Sequence, residues 1–327
     1  MRPRIFVTQP VCRSAIERLR RVASVKVNPD SSRIIPKKAL LAAVRNSDIV
    51  FSLLHDRIDR DVLAANPKLA AVASQSITPD NIDVAEATRR KIPVTVVPPI
   101  VAEATADLTF GLMLAAARRM VEGDRLVHRG RFPGAQSSHL LGAALFRKTI
   151  GLVGGGGRIG TCVARRARGF DMRVLYWSPR RKPENLEQDF GMTYVALDQL
   201  LRDADFVSLH SPLTPTTRHQ IGARELALMK PTAFLINTAR GAIIDEKALA
   251  RALRKRQIAG AGLDVFEHEP EVTPALLKMA NVVTTPHLGS AVVEVREQMA
   301  NIVVDNILAL LGGKTPPNCI NPEVLRG

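Results

Sequence analysis

Short apolar runs alternate with amphipathic stretches along the first hundred residues. Ile5–Thr8, Val25–Val27, Asp48–Leu53, Leu69–Ser74 and Val94–Val97 read as strands. Between them, Cys12–Val22, Pro36–Asn46, Asp61–Asn66 and Asp83–Arg90 carry apolar residues at helical spacing. Strands separated by helices imply parallel pairing in a covered sheet. Pro98 and Pro99 then interrupt the pattern and predict a hinge, because proline lacks an amide donor and restricts its neighbour. One long helix is predicted over Val101–Arg129. Its dense apolar face, Leu108, Leu112, Leu114 and Ala115, suits packing between domains or in a dimer.

The alternation resumes beyond a loop-like stretch, Phe132–Arg147. Thr149–Val153, Arg173–Trp177, Phe206–His210, Ala233–Asn237, Ala259–Asp264 and Val282–Thr285 read as strands, with helices at Thr161–Gly169, Leu197–Leu201, Glu225–Met229 and Glu246–Arg254. A helical pattern runs from Ala291 to Leu311, and a polar, proline-rich tail closes the chain. The fold class is α/β, with two doubly wound parallel-sheet domains. A length of 327 residues accords with two domains.

Composition narrows the class. Hydrophobic residues make up 46%, enough for sizeable cores, yet no apolar run reaches the ~18 residues of a membrane span. The opening Met1–Val7 passes straight into a strand, so no leader is expected. Cys12, Cys162 and Cys319 are odd in number and widely spaced, which predicts neither disulfides nor a metal site and fits the cytoplasm. The net charge of +15 is spread through helical segments and aromatic residues are only 4%, so anionic small molecules are favoured over nucleic acid as partners.

The densest chemistry lies in Gly151-Leu-Val-Gly154-Gly155-Gly156-Gly157-Arg158-Ile159-Gly160. Gly155, Gly157 and Gly160 fit G-x-G-x-x-G between a strand and a helix, the pattern that sets a helix N-terminus at a pyrophosphate. Arg158 and Ile159 would offer their amides to it. About 20 residues on, an acidic side chain would take the ribose of NAD. Here the strand ends in Ser178, followed by Arg180 and Arg181. A hydroxyl and two guanidiniums favour a 2′-phosphate, and hence NADP, over a free ribose; a solvated basic turn is the bland alternative.

Over nearly its whole length the chain resembles the D-2-hydroxyacid dehydrogenases, nearest in pattern to the glyoxylate/hydroxypyruvate and 2-ketogluconate reductase branch. The ordered motifs are Asp80-Asn81-Ile82-Asp83, Glu103-Ala-Thr105-Ala-Asp107, the glycine loop, His210-Ser211-Pro212-Leu213-Thr214 and Asn237-Thr238-Ala239-Arg240-Gly241. Gly262-Leu-Asp264-Val-Phe266-Glu267-His-Glu269-Pro270, Pro286-His287-Leu-Gly289-Ser290 and the tail Pro317-Asn318-Cys-Ile-Asn321-Pro follow. The resemblance implies a Rossmann cofactor domain, 100–290, inserted into a flavodoxin-like substrate domain, 1–99 and 291–327, with the active site in the cleft between them.

It also implies roles. His287 would exchange a proton with the keto oxygen, Glu269 would hold the imidazole and favour its charged form, and Arg240 would grip the substrate carboxylate. Thr238, Ala239, Asp264, Ser211, Thr105 and Gly289 would border the cofactor, with strand-end packing or helix capping as the alternative for each.

Two departures stand out. The glycine loop is one residue longer than the family pattern. The expected Gly-x-Gly before Asp80 reads Ser76-Ile77-Thr78-Pro79, so the amides of Ile77 and Thr78 are the candidate substrate contacts, with Leu54 as an apolar wall or core residue. The expected activity is reduction of a small 2-keto acid (glyoxylate, hydroxypyruvate or 2-ketogluconate) by NADPH, in a homodimer. The alternatives are a dehydrogenase of another small anion such as phosphite, or a non-enzymatic NAD(P)-sensing, corepressor-like protein.

Overall fold

A computed structural model describes residues 2–325. The chain divides into two compact units, Met1–Ile100 with Val292–Gly327, and Val101–Ala291.

The first unit is a five-stranded sheet. Its elements are β1 (Arg4–Val7), α1 (Arg13–Val22), β2 (Ser24–Val27), α2 (Lys37–Val44), β3 (Ile49–Ser52), α3 (Arg60–Ala64), β4 (Ala71–Ser74), α4 (Val84–Arg89) and β5 (Val94–Thr95). Every pairing is parallel, in the order β2-β1-β3-β4-β5. β3 and β4 are buried at every position, as strands covered on both faces must be. The C-terminal segment belongs to this unit. Its helix (Val293–Leu311) is tied to α1, where Arg18 donates to Asn301 at 2.8 Å and to Asp305 at 2.5 Å. The tail covers the open edge of β5. Ile320 N–H donates to Val94 O at 2.9 Å, Val94 N–H donates to the Asn321 side chain at 2.8 Å, and Asn321 Nδ2 donates to Ile92 O at 3.0 Å. An exposed edge that would otherwise invite another strand is thereby closed.

The second unit opens with α5 (Ala102–Ala117) and α6 (Met120–His128). It continues with β6 (Thr149–Val153), α7 (Arg158–Arg168), β7 (Arg173–Trp177), α8 (Glu184–Phe190), β8 (Met192–Tyr194), α9 (Leu197–Asp203) and β9 (Phe206–Leu209). α10 (Ala223–Leu228), β10 (Phe234–Asn237), α11 (Glu246–Arg254), β11 (Gly260–Leu263), α12 (Pro274–Leu277) and β12 (Val282–Thr284) complete it. The parallel order is β12-β11-β10-β9-β6-β7-β8. The chain starts in the middle, winds outward through β7 and β8, then returns to β9 and winds the other way. The carboxyl ends of β6 and β9 form the switch point where such sheets bind ligands.

Three expectations need correction. The long Val101–Arg129 helix is two helices. Arg119 takes a left-handed φ of 52°, and the Ala117 carbonyl accepts the N–H of Ala143 at 2.8 Å, so a loop amide takes the place of the next helical turn. The apolar face of α5 is spent inside its own unit: Leu112 is buried, and Leu108 and Leu114 pack on the core formed with β6, β7 and β10. Exposed apolar side chains near it lie instead on α6 and the loop that follows, at Met120, Val127, Phe132, Leu141 and Phe146. Finally, the sequence reading omits β8. Three residues after a left-handed Gly191 are too few to show alternation.

Candidate active site

The glycine loop shows how the surplus residue is accommodated. Gly154, φ 78°, follows the last residue of β6. Its N–H and that of Gly155 both donate to the Trp177 carbonyl of β7, at 2.8 and 3.2 Å. The Gly155 N–H also reaches the Leu152 carbonyl at 3.2 Å, so the chain turns immediately after β6, past the last ladder pair Val153–Trp177. The extra glycine is consumed there, and the loop beyond keeps the G-x-G-x-x-G register. A Cβ on Gly154 would lie 2.6 Å from Ser211 N and 2.7 Å from Ser211 Oγ. A Cβ on Gly160 would overlap the Gly155 carbonyl. Gly157 caps α7, so the amides of Arg158, Ile159 and Gly160 form the first turn, which no helical carbonyl reaches.

Beside this cradle, at the end of β9, Ser211 Oγ and His210 Nδ1 are buried without a partner among the described residues. His210 Nε2 pairs with Ser208 Oγ at 3.0 Å, and burial pushes the imidazole down to about 3, so it stays neutral. Buried polar atoms are ordinarily satisfied. An orphan hydroxyl at Ser211 beside a Cβ-free turn and a helix N-terminus fits a bound dinucleotide phosphate.

The ribose-reading turn splits the three residues expected there. Ser178 is buried, and its Oγ accepts the Gly156 N–H at 3.2 Å, so the hydroxyl sits against the cradle. Arg180 is exposed, and no described residue bonds it. Arg181 is committed elsewhere. It grips Glu187 through two bonds of 2.8 Å, and the Tyr176 hydroxyl donates to the same carboxylate at 2.6 Å. The Arg181 and Tyr176 bonds hold Glu187 down at about 2. Helix α8 brings Glu187 back onto the turn, a contact invisible to local spacing. Lys182, at the end of the same basic run, comes close as well: its side chain lies 3.7 Å from the Cβ position of Gly156, and its N–H donates to Tyr176 Oη at 2.8 Å.

The strand ends of β10, β11 and β12 carry the acid–base candidates. Asn237, fully buried, accepts the Ala239 N–H at 3.0 Å and donates to the Arg240 carbonyl at 3.0 Å, which shapes the turn that presents Arg240. Arg240 Nη1 donates to Ala239 O at 2.7 Å. Thr238 is buried, its hydroxyl 3.0 Å from that of Thr109. Thr109 donates to Thr105 O at 2.8 Å, so Thr238 is the donor of the pair. Thr105 Oγ1 points at Val101 O (2.9 Å) and Gly289 O (3.1 Å), which ties α5 to the His287 turn.

His287 Nδ1 lies 2.8 Å from Glu269 Oε2, and Glu269 Oε1 accepts the Phe266 N–H at 2.9 Å. His287 itself has φ 57°, a conformation costing about 1–2 kcal/mol outside glycine. Asp264 sustains it. Its backbone carbonyl accepts the His287 N–H at 2.9 Å, Oδ1 accepts Thr285 Oγ1 at 2.6 Å and Leu288 N–H at 2.7 Å, and Oδ2 accepts Gly289 N–H at 2.9 Å. Burial pushes the Asp264 carboxyl up against the pull of those donors. Three of its acceptor sites already serve the turn, so Asp264 acts first as the mount for His287.

In the five-stranded unit, Leu54 is half-buried, in the turn after β3. Asp56 organises its turn: Thr8 Oγ1 and Leu53 N–H both donate to Asp56 Oδ2, the latter at 2.7 Å. The Thr78 N–H turns back to Ser76 Oγ at 3.3 Å, whereas no described residue accepts from the Ile77 N–H, so the two candidate amides are not equivalent.

A parallel sheet with a Cβ-free turn at its switch point and a histidine–carboxylate pair at neighbouring strand ends has the form of a dinucleotide-dependent oxidoreductase. Residues 110–289 match the family described as D-isomer specific 2-hydroxyacid dehydrogenase, NAD binding domain. A glyoxylate reductase of Thermococcus litoralis is 45% identical over 99% of this chain and 98% of its own. Among solved structures, the TT0316 protein of Thermus thermophilus is 42% identical, with a TM-score of 0.89 over 97% of this chain and 99% of that one. An NADPH-dependent glyoxylate/hydroxypyruvate reductase of Sinorhizobium meliloti, solved with NADP and malonate, is 31% identical, with a TM-score of 0.82 over 98% of each chain. The chain belongs to the D-2-hydroxyacid dehydrogenase family. No helix among the described residues is long and apolar enough to cross a membrane.

Proposed function

We propose that this chain reduces a small 2-keto acid, such as glyoxylate or hydroxypyruvate, to the D-2-hydroxy acid, with preference for NADPH. The observation that carries the reading is the His287–Glu269 pair at 2.8 Å. A carboxylate only accepts, so Nδ1 carries the hydrogen of that bond and Nε2 is the nitrogen that passes a proton to the keto oxygen. Glu269 stabilises the imidazolium before transfer, and Arg240 binds the substrate carboxylate through its guanidinium. Leu54 and the open Ile77 amide are assigned to the substrate, with Thr78 in a lesser role.

When bound, the nicotinamide cofactor supplies the hydride. The amides of Arg158, Ile159 and Gly160 and the Ser211 hydroxyl hold its phosphates. Thr238 and Ala239 wall the nicotinamide side, and Gly289 and Thr105 close the adjoining turn. NADPH preference rests on Ser178 and Arg180, with Lys182 as the additional cation and Arg181 as their support. Relatives named glyoxylate reductase and a neighbour solved with NADP are consistent with both halves of the reading.

A homodimer is supported by the five exposed apolar side chains between Met120 and Phe146, and a cytoplasmic setting by three unpaired cysteines. A panel of 2-keto acids assayed with NADPH and with NADH tests the activity. Turnover of glyoxylate or hydroxypyruvate, faster with NADPH at equal concentration, is expected. No oxidation of either cofactor with any keto acid would overturn it in favour of a sensing protein.

A further inference from the structure

The segment that carries Glu269 lies between β11 and α12 and is held by no helix or strand, only by an isolated bridge between His268 and Glu271, yet its carboxylate must hold one direction toward His287. Glu246, the first residue of α11, explains how it can. The residue is 3% exposed. Its Oε1 accepts the Glu267 N–H at 2.7 Å, and its Oε2 accepts the Thr273 hydroxyl at 2.5 Å. Those donors flank Glu269 in the chain, one before it and one after. A single buried carboxylate therefore closes the loop at both ends. Its negative charge is favoured at the first turn of a helix.

Two further contacts press on the same segment. A Cβ on Gly241 would overlap the Phe266 carbonyl and Glu267 N, so the Arg240–Gly241 backbone abuts the loop directly. On the outer side, Glu267 Oε1 meets His219 Nε2 at 2.6 Å and Arg218 at 3.2 Å.

We infer that Glu246 is a positioning residue: by bridging Glu267 N–H and the Thr273 hydroxyl it fixes the loop from which Glu269 orients His287. The inference rests on the acid–base reading of that pair. Glu246→Ala removes both acceptors. Glu246→Gln keeps an oxygen for the Glu267 N–H and offers an NH2 that the Thr273 oxygen can accept. Thr273→Val removes one bond only.

With glyoxylate and NADPH, kcat should fall about 10²-fold in Glu246→Ala, the order expected when a catalytic group is displaced by about 1 Å. NADPH binding, followed by the fluorescence of the bound cofactor, should be unchanged. Glu246→Gln should recover most of kcat, and Thr273→Val should lose less than Glu246→Ala. The downfield proton resonance of His287 Nδ1–H, assigned by its loss in His287→Asn, should vanish in Glu246→Ala and persist in Glu246→Gln.

A folded Glu246→Ala that retains both the resonance and kcat would overturn the inference, as would a Glu246→Gln as damaged as the alanine variant. Should Glu246→Ala fail to fold, Thr273→Val decides: an undisturbed resonance and kcat overturn the inference. Loss of the resonance without loss of kcat would uphold the positioning role and overturn the acid–base reading instead.

Discussion

The turn after β6 and the turns after β11 and β12 lie along one edge of the same sheet, yet they are built in opposite ways. The first works by lacking side chains. Gly154, Gly155 and Gly160 are places where a Cβ would strike backbone, and the amides of the following helix stay unclaimed by the fold. The second pair of turns works by filling amides. Asp264 takes the N–H groups of Leu288 and Gly289, Glu269 takes that of Phe266, and Glu246 takes that of Glu267. In the function proposed above, the difference follows from what each would hold. An anion needs donors left open. An imidazole is oriented by a carboxylate acceptor, and backbone donors hold such a carboxylate in place.

Breaking the carboxylate side should have the largest effect. His287→Ala is expected to lower kcat by about 10²–10⁴, the range for loss of a general acid. NADPH binding should survive, because the glycine cradle is untouched. Loss of cofactor binding alongside turnover would show that His287 holds the fold rather than the proton. Asp264→Ala should come next. It strips the acceptors from Leu288, Thr285 and the buried Gly289, and an unsatisfied buried donor costs about 1–3 kcal/mol. Both Tm and kcat should drop. A kcat that holds while Tm falls would separate Asp264 from the positioning of His287.

The glycine side should respond in the reverse manner. Gly154→Ala places an L side chain at φ 78°, at a cost of about 1–2 kcal/mol, and drives its Cβ into Ser211. Cofactor affinity should weaken, while the 2.8 Å His287–Glu269 contact, followed by its downfield proton, should persist. Unaltered NADPH affinity would mean that the extra glycine is a passive insertion.

These turns also differ in how much of them could be read from residues alone. Glycine spacing is local, so the cradle and its helix were legible, down to the presence of one residue too many. Its placement in the turn after β6 was not legible, because that depends on a carbonyl in β7. Arg240, Glu269 and His287 could be named from ordered motifs, and α/β architecture from the alternation of apolar runs. Glu246 could not, since its partners lie 21 and 27 residues away and its spacing resembles an ordinary acidic helix start. Arg119 and β8 were missed for a related reason. A left-handed residue set by an incoming amide, and a three-residue edge strand, leave no periodic trace.

The smallest effects are expected in the turn after β7, which borrows from both designs. Ser178→Asp combined with Arg180→Ala should move preference toward NADH by about tenfold, the loss of one charge-assisted contact plus a repulsion. Unchanged preference in steady-state kinetics would dismiss Ser178 and Arg180 as readers of the 2′-phosphate. Arg181→Ala should behave differently, lowering Tm more than it alters preference, because Arg181 is bound to Glu187. That contribution has a defined sign with pH. Glu187 is held at about 2, below the ordinary 4.5, so the clamp is fully present above pH 4.5 and fades as pH falls toward 2. The Tm difference between wild type and Arg181→Ala should therefore shrink in acid. A difference that stays constant across that range would place Arg181 on the cofactor instead of on the clamp.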